Sequence, residues 1–193
     1  MRCSRRTALG LSFAMVSLLT LPAAARECED VSMPDSVNLD GVKLVLNGMG
    51  VREATVFNVN VYVAGLYLQK RSSDGKKIAE AEEPKQMLLA FVRNVSKTDM
   101  AEAIQKGFQR AAGDGYAKLK LRVERFMAAL PEFKKGDRLT LSYRPNVGLE
   151  LKTAAQLTRI EGADFARALF MIWLGPNPPN AGLKKGLLGG ACG

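Results

Sequence analysis

Apolar residues recur along this chain with two alternating periods, and the switches between them outline its elements. Val42 to Leu46 reads as a strand ended by Asn47-Gly48-Met49-Gly50. A longer strand is predicted from about Val56 to Leu68. Successive side chains of an extended chain point to opposite sides, so Phe57, Val59, Val61 and Val63 share one greasy face and Asn58, Asn60, Tyr62 and Ala64 a mixed one. Ser72-Ser73-Asp74-Gly75 reads as a turn, an acidic stretch stopped by Pro84 follows, and Met87 to Val92 suits a buried strand.

The period then lengthens. Met100, Ile104 and Phe108 recur every four residues behind a cap at Ser96 or Thr98. Asp99 and Glu102 lie in the first turn, where the helix dipole favours acids, and Gly113 is the stop. Leu119, Val123, Phe126 and Leu130 mark a second helix ended by Pro131, although the alternation of Leu119, Leu121 and Val123 leaves a strand open for its first half. Leu139 to Tyr143, Leu149 to Thr153 and Leu157 to Glu161 read as an antiparallel meander, the first two joined through Pro145-Asn146-Val147-Gly148. Gly162-Ala163-Asp164 opens a last long helix with Phe165, Leu169, Ile172 and Trp173, stopped at Gly175-Pro176. A short amphipathic tail around Leu183, Leu187 and Leu188 follows. Strands, inserted helices, strands again and helices last predict an α+β fold with helices on one face of an antiparallel sheet.

The first residues follow another logic. Arg2, Arg5 and Arg6 precede the apolar run Ala8 to Leu21, and Pro22-Ala23-Ala24-Ala25 supplies the small residues of a cleavage site, so residues 1–25 read as a signal peptide and 26–193 as one mature domain. An uncleaved anchor is the alternative, disfavoured because Gly10, Ser12, Ser17 and Thr20 dilute the run. The expectation is a periplasmic protein with no stable membrane span after cleavage. Ser4-Arg5-Arg6-Thr7 also permits twin-arginine export.

Composition narrows the chemistry. The 193 residues contain no His, which removes imidazole-based hydrolases, HExxH zinc sites and the usual proton shuttles. No metal or cofactor is expected. The net charge of +9 is spread over turns, as at Lys70-Arg71, Lys76-Lys77, Lys134-Lys135 and Lys184-Lys185, without an aromatic-basic stripe, so no nucleic-acid partner is expected. In an oxidising compartment Cys28 and Cys192, at opposite ends of the mature chain, are predicted to pair. Two free thiols are the alternative.

Several of these segments, in this order, resemble the chalcone isomerase-like family in its exported bacterial branch. They are Gly50-Val51-Arg52, Val61-Tyr62-Val63-Ala64-Gly65-Leu66-Tyr67-Leu68, Phe133-Lys134-Lys135-Gly136-Asp137, Phe165-Ala166-Arg167-Ala168-Leu169-Phe170, Ile172-Trp173-Leu174-Gly175 and Leu187-Leu188-Gly189. The resemblance implies an open-faced β-sandwich, a large antiparallel sheet under a layer of helices with an apolar cleft between them. It implies a role for Arg52, which matches the arginine that stabilises the attacking phenolate in plant chalcone isomerases, and it sets Tyr62 at the position of their ketone-polarising threonine. The tyrosine and asparagine that complete the enzyme's polar site correspond to Met100 and Gly107, which offer no side-chain donor.

Isomerase activity is therefore expected to be absent or weak. Fatty-acid-binding relatives hold the ligand carboxylate with an arginine and a tyrosine, and Arg52 with Tyr62 is similar to that pair. A small amphipathic, fatty-acid-like carboxylate is thus the expected partner. An isomerase or intramolecular lyase using Arg52 as electrophile on a non-chalcone substrate is the alternative, and a protein-interaction module of the cell envelope is a third. The pair has a geometric condition: ten residues of one strand span ~33 Å, so the chain must reverse between them for a shared site. Trp173, Phe170 and Phe165 read as core or pocket lining, Asn58 and Asn60 as cleft residues or solvated ones, and Asp137 as a turn former.

Overall fold

The computed structural model describes residues 25–54 and 59–192. The leader, assigned to residues 1–25, lies outside them but for Ala25. A hairpin of β1 (Ala25–Cys28) and β2 (Val31–Pro34) precedes a seven-stranded sheet of β3 (Ser36–Leu39), β4 (Val42–Ala54), β5 (Val59–Leu68), β6 (Lys85–Phe91), β7 (Arg138–Arg144), β8 (Gly148–Lys152) and β9 (Leu157–Ile160). Every pairing is antiparallel and the strands lie side by side in chain order. The helices are α1 (Gly75–Glu80), α2 (Lys97–Ala112), α3 (Tyr116–Ala128), α4 (Ala163–Leu174) and α5 (Ala181–Leu187). This is the predicted α+β class.

Both faces of the sheet are covered. Leu66, Met87, Leu89, Leu141, Leu149 and Leu151 pack against the apolar stripes of α2, α3 and α4, with Phe108, Phe126, Phe165 and Trp173 among the largest buried side chains. The opposite face carries Leu44, Leu46, Val51, Val63 and Tyr67 and is closed by Met33 and Cys28 of the β1–β2 hairpin. Cys28 is disulfide-bonded to Cys192 with their Cα atoms 6.0 Å apart, as the cysteine arithmetic predicted.

The structure corrects the sequence reading at three places and settles an open alternative at a fourth. Asn47-Gly48-Met49-Gly50 does not end a strand, because β4 runs straight through it. The glycines are there because α5 lies on them: a Cβ at Gly48 would sit against the Gly186 carbonyl and one at Gly50 against that of Leu183. A short helix that the sequence reading lacked, α1, follows Ser72-Ser73-Asp74: Gly75 is its first residue, the Asp74 carboxylate accepts the Lys77 amide in an N-cap, and Glu82 and Glu83 lie beyond its end. Leu119 to Val123 is helical, the first of the two readings left open there, and Leu121 points to solvent at 80 % exposure. Finally, the alternation predicted along β5 breaks at Val61; of the predicted strand, residues 56–58 lie outside the described segment.

Two bulges turn the cleft residues toward the helices. Leu46 pairs with Tyr67 but Gly48 with Leu66, so Asn47 is an extra residue in β4. Leu44 and Leu46 before it, and Met49 and Val51 after it, all face the hairpin side; the inserted residue switches the parity, and Gly48, Gly50 and Arg52 therefore face the helices. Further along, Arg52 pairs with Tyr62 but Glu53 with Asn60, so Val61 is extra in β5. Val61 and Tyr62 then point to the same side, and Asn60 turns away to donate to Glu29 Oε2 at 2.9 Å.

Candidate functional site

A cleft of about 610 Å³ opens where the ends of β4 and β5, the face of α2 and the last turn of α4 meet. Its apolar walls are Val61, Val95, Met100, Ile104, Ile172 and Trp173, with Pro178 and Pro179 at one side. The size is that of pockets for small organic ligands. Arg52 and Tyr62 both line it. The reversal their shared site requires exists: β4 and β5 are antiparallel, and the two residues are directly opposed across the ladder.

Arg52 is partly buried, and its Nη1 is shielded from solvent without a hydrogen-bond partner among the described residues. A buried guanidinium nitrogen lacking an acceptor is costly, which makes it a position built for an acceptor from outside the chain. Tyr62 is only 6 % exposed, and its hydroxyl accepts the indole N–H of Trp173 at 2.9 Å. Burial raises the phenol above its ordinary pKa of 10.0, with the Trp173 hydrogen bond and the charge of Arg52 opposing the rise without reversing it. Tyr62 thus stays a neutral phenol at any physiological pH.

The polar remainder of the lining sits on the exposed side of α2. Asp99 accepts the Ser96 hydroxyl at 2.7 Å and Glu102 accepts Lys106 Nζ at 3.1 Å, while Arg110 stands at the rim. Both carboxylates are engaged within their own helix. Ser96 is also the N-cap of α2, accepting the Asp99 amide.

Met100 and Gly107 are the residues that the resemblance matched to a tyrosine and an asparagine of the plant enzymes. Met100 lines the cleft with its thioether, and Gly107 lets α2 approach α4 so closely that a Cβ there would meet Ile172 Cγ2 at 2.8 Å. Of the other candidates, Phe165 packs in the core at a tilt against Phe108 and Phe126, and Phe170 is buried as well. Trp173 belongs to the site. Asp137 closes a turn by accepting the Lys134 amide at 2.8 Å. Asn60 faces the hairpin, and Asn58 lies outside the described residues. Among the described residues no group of three or more His, Cys, Asp or Glu gathers to hold a metal ion.

The fold and cleft define an antiparallel sheet capped by helices with a cationic donor inside an apolar hollow. The model of the chalcone isomerase-like family matches residues 25–189, and the chain belongs to that family. Among solved structures it is similar to the Arabidopsis thaliana fatty-acid binding protein, with a TM-score of 0.68 at 15% identity, over 82% of this chain and 92% of that one. No curated protein sequence matches the chain significantly. Sequence reasoning missed the Trp173–Tyr62 contact, since the two residues lie 111 positions apart and only the tertiary fold joins them.

Proposed function

We propose that this protein binds an amphipathic carboxylate such as a fatty acid, the acid head on Arg52 and Tyr62 and the chain along the apolar walls of the cleft, without turning it over. The observation that carries this reading is the buried Nη1 of Arg52, without a partner among the described residues, in the lining of the cleft. A guanidinium offers a carboxylate fixed, charge-assisted donors, the Tyr62 hydroxyl adds another, and each methylene buried contributes ~0.8 kcal/mol. Similarity to a fatty-acid binding protein supports the same ligand class. Cyclisation chemistry is disfavoured because Met100 and Gly107 supply no donor for charge developing across the cleft.

On this reading the protein works in the periplasm. Support comes from the basic, apolar and small-residue pattern of residues 1–25, together with a disulfide of a kind that persists where thiols are not kept reduced. Calorimetric titration with dodecanoate tests the binding. Arg52→Gln is expected to weaken it by roughly 10- to 100-fold, the worth of a hydrogen-bonded charge, and Tyr62→Phe by less. Equal affinity in wild type and Arg52→Gln would refute the assignment.

A further inference from the structure

We propose that Trp173 is a positioning residue that sets the head-group selectivity of the cleft: by donating its indole N–H to Tyr62 it leaves the phenol as a donor toward the ligand, so that the site takes an ionised acid and discriminates against the corresponding alcohol. The inference rests on the reading that the cleft holds an amphipathic acid.

An indole N–H can only donate, and Trp173 is buried at 1 % exposure, so its hydrogen needs an acceptor inside the protein. The acceptor is Tyr62 Oη at 2.9 Å. A phenol oxygen carries its hydrogen on one side and accepts on the other. With Trp173 on the accepting side, the hydrogen of Tyr62 is turned elsewhere, and it has no acceptor among the described residues. The guanidinium of Arg52 can donate but cannot accept. Among the described residues the inner end of the cleft therefore presents two side-chain donors and no free side-chain acceptor. The carboxylates of Asp99 and Glu102 lie on the exposed α2 rim and are already engaged by Ser96 and Lys106. Asn180, whose Oδ1 is buried without a partner among the described residues, donates to Val51 O and does not line the cleft.

Such a site matches a carboxylate, whose oxygens only accept. An alcohol head brings a hydrogen of its own and would bury it unpaired, while an ammonium head would face Arg52 as a like charge. Selectivity of this kind follows from the cost of unpaired groups more than from the strength of paired ones.

The experiment compares dodecanoate and 1-dodecanol as probes on wild type, Trp173→Phe, Tyr62→Phe and the double variant. Trp173→Phe keeps a buried ring but frees the accepting side of Tyr62, so the acid-to-alcohol affinity ratio is expected to fall about tenfold, chiefly by a gain in dodecanol affinity. In the Tyr62→Phe background the same change is expected to leave the ratio unmoved, which isolates the pairwise effect. A ratio equal in wild type and Trp173→Phe, with both ligands weakened alike, would overturn the inference and leave the acyl-binding reading standing. Binding of neither probe by wild type would sink both. Trp173 is the single tryptophan, so an independent readout exists in the wild-type protein should Trp173→Phe fail to fold. Its one indole N–H resonance is expected to shift with dodecanoate and to remain protected from solvent exchange, whereas free exchange would contradict the hydrogen bond.

Discussion

Arg52 reaches the cleft because of a residue five positions before it. Asn47 is the inserted residue of β4, and its side chain holds the bulge open by donating to Ser72 O at 3.0 Å and Leu187 O at 2.7 Å and by accepting the Ser72 amide at 2.8 Å. Three chain segments converge on one amide. Asn47→Ala would leave buried carbonyls and an amide unpaired, and urea unfolding is expected to register a loss of ~2–3 kcal/mol. The same variant is expected to weaken dodecanoate binding, because the parity that turns Arg52 inward depends on the bulge; unchanged stability and affinity would contradict this role. Arg52 and Tyr62 were legible as candidates in the sequence, from their resemblance to a binding pair. Their opposition across a hairpin was not, since Glu53-Ala54-Thr55 carries no strong turn signal and register is a property of two strands together.

At the scale of elements, periodicity found the long helices and the meander, and it failed where a local pattern answers to a distant partner. Gly48 and Gly50 look like strand breakers in isolation, yet they are the floor on which α5 rests, with Gly186 as the matching gap in the helix. The missed β1–β2 hairpin and β3 are short pieces with little alternation of their own, which gain their order from the sheet and the disulfide. Helix α1 was hidden for another reason: it is six residues long, and its C-terminal end is held by a lysine from a strand. Lys85 Nζ donates to Ile78 O at 2.7 Å and to Ala81 O at 2.6 Å, above the rings of Tyr143 and Phe170. Burial pulls this ammonium from its ordinary 10.5 to about 8, with Glu82 and Glu83 opposing.

Between about pH 8 and 10.5 the unfolded chain therefore holds a proton at Lys85 that the folded chain has released, so this group makes stability rise with pH across that window and contributes no slope outside it. Measured against Lys85→Met, wild type is expected to gain stability over that range at up to ~1.4 kcal/mol per pH unit. Parallel curves for the two proteins would show that Lys85 stays charged.

At the scale of the whole molecule, one covalent bond ties the first strand to the last residues. Cys28 and Cys192 are 164 positions apart, and in the chain-entropy model a loop of that length stabilises the fold by up to roughly 5 kcal/mol. The bond also fastens the hairpin that covers the outer face of the sheet. Thermal melting under reducing conditions is expected to show a marked drop in midpoint, reproduced by the Cys28→Ala/Cys192→Ala double variant without reductant; an unchanged midpoint in both would mean that the hairpin holds by packing alone. The sequence carried this link openly, because once residues 1–25 are read as a leader, the two cysteines that remain, at opposite ends of the chain, leave one pairing. The cleft was less legible, because it is an absence of side chains between sheet and helices that no residue announces.

Native mass spectrometry, on protein purified without detergent and mixed with dodecanoate, tests the central claim most directly. Wild type is expected to carry one dodecanoate per chain and Arg52→Gln to be recovered empty. An empty wild type, or equal loading of the two proteins, would contradict a carboxylate site built on Arg52.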